Sequence, residues 1–174
     1  MEDDPHCLLE GMALAAYAVG ATQGRIYVRA EYPQAQAILA EAVAEARGAG
    51  WLGGGVGKTL SFDVEIVAGQ GSYVCGEETA LLNSIEGKRP VVMARPPYAV
   101  ECGLFGKPTV INNVETFANI PWIIRRGEAA FRALGFSKSQ GTKVVSLNSL
   151  FRRPGLYEVE FGVPVREIVE TIGG

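Results

Sequence analysis

Gly69-Gln70-Gly71-Ser72-Tyr73-Val74-Cys75-Gly76-Glu77-Glu78-Thr79-Ala80-Leu81-Leu82 is a glycine-rich turn that ends in two adjacent acids at the mouth of an apolar helix. Before it, Phe62, Val64 and Ile66 face one way while Asp63 and Glu65 face the other, the pattern of a strand covered more on one side. After it, Thr79 to Ile85 reads as a helix with Gly87 as its stop. Strand, glycine loop and helix make the geometry in which α/β proteins place ligands at the carboxyl ends of strands. Glycines let the backbone approach a flat ligand closely, and carboxylates accept hydrogen bonds from donors such as ribose hydroxyls. Glu77 and Glu78 would repel a phosphate set beside them, so the pattern favours a nucleotide whose sugar lies against the acids. The same acids also suit the positive end of a helix dipole with no ligand at all.

Upstream, Leu8, Met12, Ala15 or Ala16, and Val19 recur at helical spacing and Gly20 follows, which predicts a helix over about 7–20. His6, the one histidine, reads as a cap or surface group before that helix. Residues 25–29 alternate as a strand. A second helix starts near Pro33, with an apolar stripe of Ala35, Ile38, Leu39, Ala42, Val43 and Ala46, and ends at Gly48 and Gly50. Gly57-Lys58-Thr59 supplies the second half of a phosphate-binding P-loop, but Leu52 stands where the first glycine must be. The run also follows a helix and precedes a strand, the reverse of the P-loop order, so it reads as a connection.

Downstream, residues 89–108 are rich in proline and glycine and read as an irregular wrap. Asn112 with Glu115 three residues later fits the entrance of a helix through about Arg126, which Pro121 should kink or divide. Lys143 to Leu147 and Gly155 to Phe161 read as strands, and Val165 to Ile172 as a helix.

The chain has 174 residues, 48% hydrophobic and 20% charged, which suits one ordinary core and a fragment of a second. Its net charge of −3 argues against nucleic acid as a partner, because no basic face is present to neutralise phosphates. No apolar run is long enough to span a membrane, and Met1-Glu2-Asp3-Asp4-Pro5 is acidic where a secretory signal is basic. Cys7, Cys75 and Cys102 include no C-x-x-C pair and form neither a disulfide framework nor a zinc site, so no metal-binding residue is assigned and a cytoplasmic protein with free thiols is expected.

The glycine turn is followed by Glu86-Gly87-Lys88-Arg89, then Pro96-Pro97-Tyr98, then Gly106-Lys107-Pro108-Thr109-Val110-Ile111-Asn112-Asn113-Val114-Glu115-Thr116. In this order and spacing the four motifs resemble the flavoprotein subunit that admits NADH to respiratory complex I and serves NAD-dependent hydrogenases and formate dehydrogenases. The resemblance runs from Asp4-Pro5-His6 to the Arg153–Val159 segment. It implies an α/β, Rossmann-like FMN- and NADH-binding layer over residues 1–138. The start of a ubiquitin-like β-grasp domain would occupy 139–174.

By that resemblance Tyr73, Gly76 and Glu77 line the isoalloxazine and nicotinamide end, and Glu78 meets the adenosine ribose. Tyr98 stacks on adenine, while Asn112 and Asn113, with Val114 as backbone neighbour, contact the FMN phosphate. Read alone, Tyr98 is a surface aromatic in a stiff loop and the asparagines are helix caps. The cofactors implied are FMN and NAD, with a 4Fe-4S cluster on the full-length parent. The partners implied are NADH and the other subunits of a redox complex, including a ferredoxin-like iron–sulfur protein, at the inner face of a membrane without insertion into it. No side chain is needed as acid or base for hydride transfer, so no catalytic residue is assigned. The family's first glycine-rich flavin loop and its four-cysteine motif are not in this sequence, so it reads as a central fragment, N-terminally incomplete. A nucleotide-binding module without redox chemistry and a structural fragment without flavin are the alternative readings.

Overall fold

The computed structural model describes residues 1–54, 61–69 and 72–174. Gly57-Lys58-Thr59 lies outside the described residues, as do Gln70 and Gly71. The contacts divide the chain into two compact units, Met1–Pro121 and Trp122–Gly174.

In the first unit, α1 (Pro5–Val19) opens where Asp4 accepts a hydrogen bond from the Cys7 N–H at 2.9 Å and closes at Gly20, whose φ of 73° is left-handed. Glycine alone adopts that conformation without strain. Asp4 is therefore the cap, and His6 sits inside the first turn, its ring 3.0 Å from Glu45 of the next helix. Strand β1 (Gln23–Arg29) leads through α2 (Pro33–Gly48) to β2 (Asp63–Gly69). The two strands pair in parallel from Gln23↔Asp63 to Arg29↔Gly69. Parallel neighbours need a crossover between them, and α2 supplies it.

The core follows from the two periodicities. Leu8, Leu9, Met12 and Ala16 of α1, and Ala35, Leu39, Ala42, Val43 and Ala46 of α2, are buried with Ile26, Val28, Phe62 and Val64 of the strand pair. Arg47 at the end of α2 grips Asp63 at 2.8 and 2.9 Å and the Val64 carbonyl at 2.9 Å, which ties the helix end to the start of β2. Gly11 lies against the Phe117 carbonyl so closely that a Cβ would overlap it.

Helix α3 (Glu78–Ile85) follows β2, and α4 (Val114–Arg126) follows a long irregular segment whose one regular piece is a 3-10 turn at Leu104–Gly106. One expectation is corrected here and another narrowed. The helix begins at Val114, and the Phe117 N–H donates to the Asn113 carbonyl at 3.3 Å, so Asn113 takes the cap position that the spacing gave to Asn112. Of the two outcomes expected at Pro121, a kink or a division, the division does not occur: α4 runs through it to Arg126. A proline costs one intrahelical hydrogen bond, and its burial beside Gly11 supplies packing in return.

The second unit contains a short helix, α5 (Glu128–Arg132), and a two-residue hairpin of β3 (Gly135–Phe136) with β4 (Ser139–Gln140), neither of which the sequence pattern announced. Strands β5 (Thr142–Leu147) and β6 (Gly155–Glu160) pair antiparallel from Thr142↔Glu160 to Leu147↔Gly155. The helix expected over 165–172 begins as α6 (Val165–Glu167) and widens into a π-turn, Ile168–Ile172.

Candidate functional site

Both parallel strands end at one edge, with Arg29 beside Gly69, and the glycine loop leaves from there. Tyr73–Gly76 forms a single 3-10 turn, and Glu77 follows in extended conformation as the N-cap of α3. One oxygen of Glu77 accepts from the Thr79 N–H at 2.9 Å, the Ala80 N–H at 3.0 Å and the Thr79 hydroxyl at 2.5 Å. The other accepts from Arg95 at 2.6 Å. The Thr79 hydroxyl above all, aided by the Ala80 N–H and Arg95, holds the Glu77 carboxyl down at about 2, against a smaller opposing effect of burial. Glu77 is thus occupied on both oxygens by the protein itself.

Glu78 opens the helix and pairs with Arg95 at 3.0 Å, its one partner among the described residues. One guanidinium therefore bridges both acids. Arg95 stands in the irregular segment, which is fastened along α3: the Met93 N–H donates to Thr79 Oγ1 at 2.9 Å and Asn83 Nδ2 to the Val91 carbonyl at 3.1 Å. Thr79 and Asn83 are four apart on one helical face, and both are buried polar residues with their bonds made.

A cleft of about 1240 Å³ lies against this wall. Gly76, Glu77, Glu78 and Arg95 line it on one side, and Asn112, Asn113 and Val114 line it as well. Arg25, Tyr27 and Arg29, alternate residues of β1, contribute to the lining. The structure thus brings together six of the eight sequence-predicted site residues. Tyr73, 85% exposed, and Tyr98, 52% exposed, are not among the lining residues. The Tyr98 N–H is held by Glu101 at 3.3 Å, and the Tyr73 ring lies under the Arg29 guanidinium, 5.6 Å from it.

The donor set fits a flavin mononucleotide. Gly76 has an ordinary φ, and a Cβ built on it meets nothing within 4 Å, so neither backbone strain nor crowding within the chain requires glycine there. The lack of a side chain leaves a bare backbone surface on the cleft wall, which a ring can approach. Asn112 and Asn113 are exposed at the start of a 13-residue helix, where first-turn N–H groups lack an intrahelical acceptor, and with the two amides they make a donor set for a phosphate.

Sequence reasoning missed Arg95 and the β1 face. The signal for the second was present: Arg25, Tyr27 and Arg29 alternate with buried Ile26 and Val28. A lone arginine before two prolines carries no such periodicity, and only folding sets Arg95 beside the acids.

A parallel strand pair with a crossover helix, and a cleft beside the glycine loop that leaves the strands' carboxyl ends, define a nucleotide-binding α/β protein. Residues 1–122 match the Nuo51 FMN-binding domain, and the chain belongs to that family. It is 47% identical to the NADP-reducing hydrogenase subunit HndC of Solidesulfovibrio fructosivorans over all of this chain and 36% of the relative. It is 48% identical to an NADH-quinone oxidoreductase subunit of Rhizobium meliloti, over all of this chain and 42% of the relative. The crystal structure of an NAD+-reducing [NiFe]-hydrogenase in the H2-reduced state superposes with a TM-score of 0.80 at 40% identity, over 95% of this chain and 28% of that one. The chain therefore spans about two fifths or less of the length of these curated relatives.

Proposed function

We propose that the polypeptide carrying this sequence is an NADH dehydrogenase that uses FMN and serves a multisubunit redox complex: a quinone reductase, a hydrogenase or a formate dehydrogenase. The carrying observation is that Gly76-Glu77-Glu78 and Asn112-Asn113 line one cleft beside the parallel strand pair. When bound, FMN supplies the capacity to take two electrons as a hydride and release them singly to a 4Fe-4S cluster. The residues of this chain do the holding. Asn112 and Asn113, with the backbone at Val114, seat the phosphate. Gly76 lets the isoalloxazine approach the backbone, and Tyr73 flanks the nicotinamide end.

Glu77 fixes the turn as helix cap, and the resemblance places it at the same ring end. Glu78 accepts from the adenosine ribose, and Tyr98 offers a face to adenine with little entropy to lose, because two prolines precede it. Relatives named for NADP and for NADH both occur, so the nucleotide preference of this chain rests on its own residues, Glu78 first. The antiparallel β5–β6 pair followed by a helix supports the β-grasp reading of 139–174, with residues 1–138 as the flavin domain. No described helix is long and apolar enough to cross a membrane; we place the protein in the cytoplasm, peripheral to the inner membrane face and next to a ferredoxin-like iron–sulfur protein.

The test is flavin retention and anaerobic bleaching. The purified polypeptide in its complex should carry FMN that NADH bleaches at 450 nm, and Asn112→Ala with Asn113→Ala should release the flavin into the gel-filtration flow while the fold persists. Unchanged flavin content in the double variant would remove the phosphate assignment. Absence of any NADH-reducible flavin would leave the non-redox nucleotide module as the reading.

A further inference from the structure

The face of β1 turned to the cleft grips three separate segments of chain. The Arg25 guanidinium lies 5.7 Å from the centre of the Phe105 ring, in the segment after the prolines. The Tyr27 hydroxyl meets Ser84 Oγ of α3 at 2.9 Å, and its ring covers Gly69, where a Cβ would stand 2.5 Å from it. The Arg29 guanidinium lies 5.6 Å from the centre of the Tyr73 ring. These are residues i, i+2 and i+4 of one strand, so a single pleat carries all three contacts.

From this we infer that Arg29 is a positioning residue, which holds the exposed Tyr73 ring against the carboxyl end of β1 and so sets the ring's orientation beside the cleft. The inference rests on the reading of Tyr73 as a flavin and nicotinamide neighbour. Tyr73 is 85% exposed, so core packing cannot orient it. Arg29, by contrast, starts from a fixed backbone: its carbonyl accepts from Gln36 Nε2 at 3.0 Å and from the Tyr32 N–H at 3.1 Å, and it pairs in register with Gly69. Its acidic neighbour Glu31 stands 3.9 Å away, too far for a hydrogen bond that would pull the guanidinium off the ring. A cation within about 6 Å of an aromatic centroid is attracted by the ring's quadrupole. The sequence spacing suits this, because β1 ends at Arg29 in register with Gly69, and Tyr73 stands only four residues beyond Gly69.

The test has two arms. In the polypeptide without cofactor, labelled at arginine, the Arg29 Nε–Hε resonance should be shifted upfield by the Tyr73 ring, and Tyr73→Leu should abolish the shift. In the complex loaded with FMN, Arg29→Met should raise the dissociation constant for NADH about two- to fivefold, Arg29→Lys should recover most of the loss, and Tyr73→Leu should weaken binding at least as much. The double variant Arg29→Met with Tyr73→Leu should be no worse than Tyr73→Leu alone. An unshifted Arg29 resonance, or additive losses in the double variant, would overturn the role of Arg29 and leave that of Tyr73 standing. Full NADH and FMN binding by Tyr73→Leu would instead refute the reading of Tyr73, and the inference with it.

Discussion

Glu77→Gln removes a charge and keeps the shape, which makes it a sharp probe of the turn. The wild-type carboxylate takes hydrogen bonds from Thr79 and Ala80 on one oxygen and from Arg95 on the other, and its pKa lies at about 2 against an ordinary 4.5. A difference of roughly 2.5 units at about 1.36 kcal/mol each sets an upper bound near 3.4 kcal/mol. The Glu77 side chain is 29% exposed and that of Arg95 38%, so solvent screening reduces the expected loss to about 1–2 kcal/mol. That corresponds to a fall in Tm of about 2–8 °C for a chain of this size.

Because the folded pKa lies below the unfolded one, this stability is complete well above pH 4.5. It is lost as the pH falls toward 2. The gap between wild type and Glu77→Gln should therefore be full at pH 7 and smaller by roughly two fifths at pH 3.5. Urea melts at the two pH values measure it. An equal gap at both would show that charge at Glu77 does not stabilise the turn, and no gap at either would make the amide as good a cap as the acid.

Glu78→Gln should shrink the ratio of kcat/KM for NADH over NADPH by about tenfold, since a unit charge roughly 5 Å from a 2′-phosphate costs on the order of 3 kcal/mol at an effective dielectric of about 20 and Arg95 offsets part of that; an unchanged ratio would make Glu78 only a helix-end acid. Gly76→Ala should leave the urea midpoint nearly unchanged, because its Cβ meets nothing within 4 Å, yet weaken FMN binding about tenfold or more. A large stability loss would instead mark a structural glycine. Gly11→Ala should destabilise by about 1–3 kcal/mol in thermal melts, because the methyl overlaps the Phe117 carbonyl, and a neutral result would mean that α1 and α4 separate without cost.

The features legible before folding are those that repeat locally. The stripes of α1 and α2 mark their buried faces because a 3.6-residue period needs no partner to be read, except at Val19, which the last turn of α1 leaves exposed. The alternation Phe62-Val64-Ile66 likewise marks β2, and Gly87, with a φ of 74°, stops α3 as a glycine should. The acids at the start of α3 were legible as a helix entrance, since capping is a contact between near neighbours.

Other features exist only in the folded chain. The passage of α4 through Pro121 goes with packing beside Gly11, which no local preference encodes. The meeting of Arg95 with Glu77 and Glu78 joins residues 18 and 17 positions apart through a segment with no period to follow. The same holds for Arg29 and Tyr73, which come from separate stretches of chain and touch because parallel pairing returns the backbone to one edge. Short-range pattern sets most of the elements; which residues meet along the cleft wall is fixed by the register of the strands and by hydrogen bonds such as Met93 to Thr79, which form only once distant segments have come together.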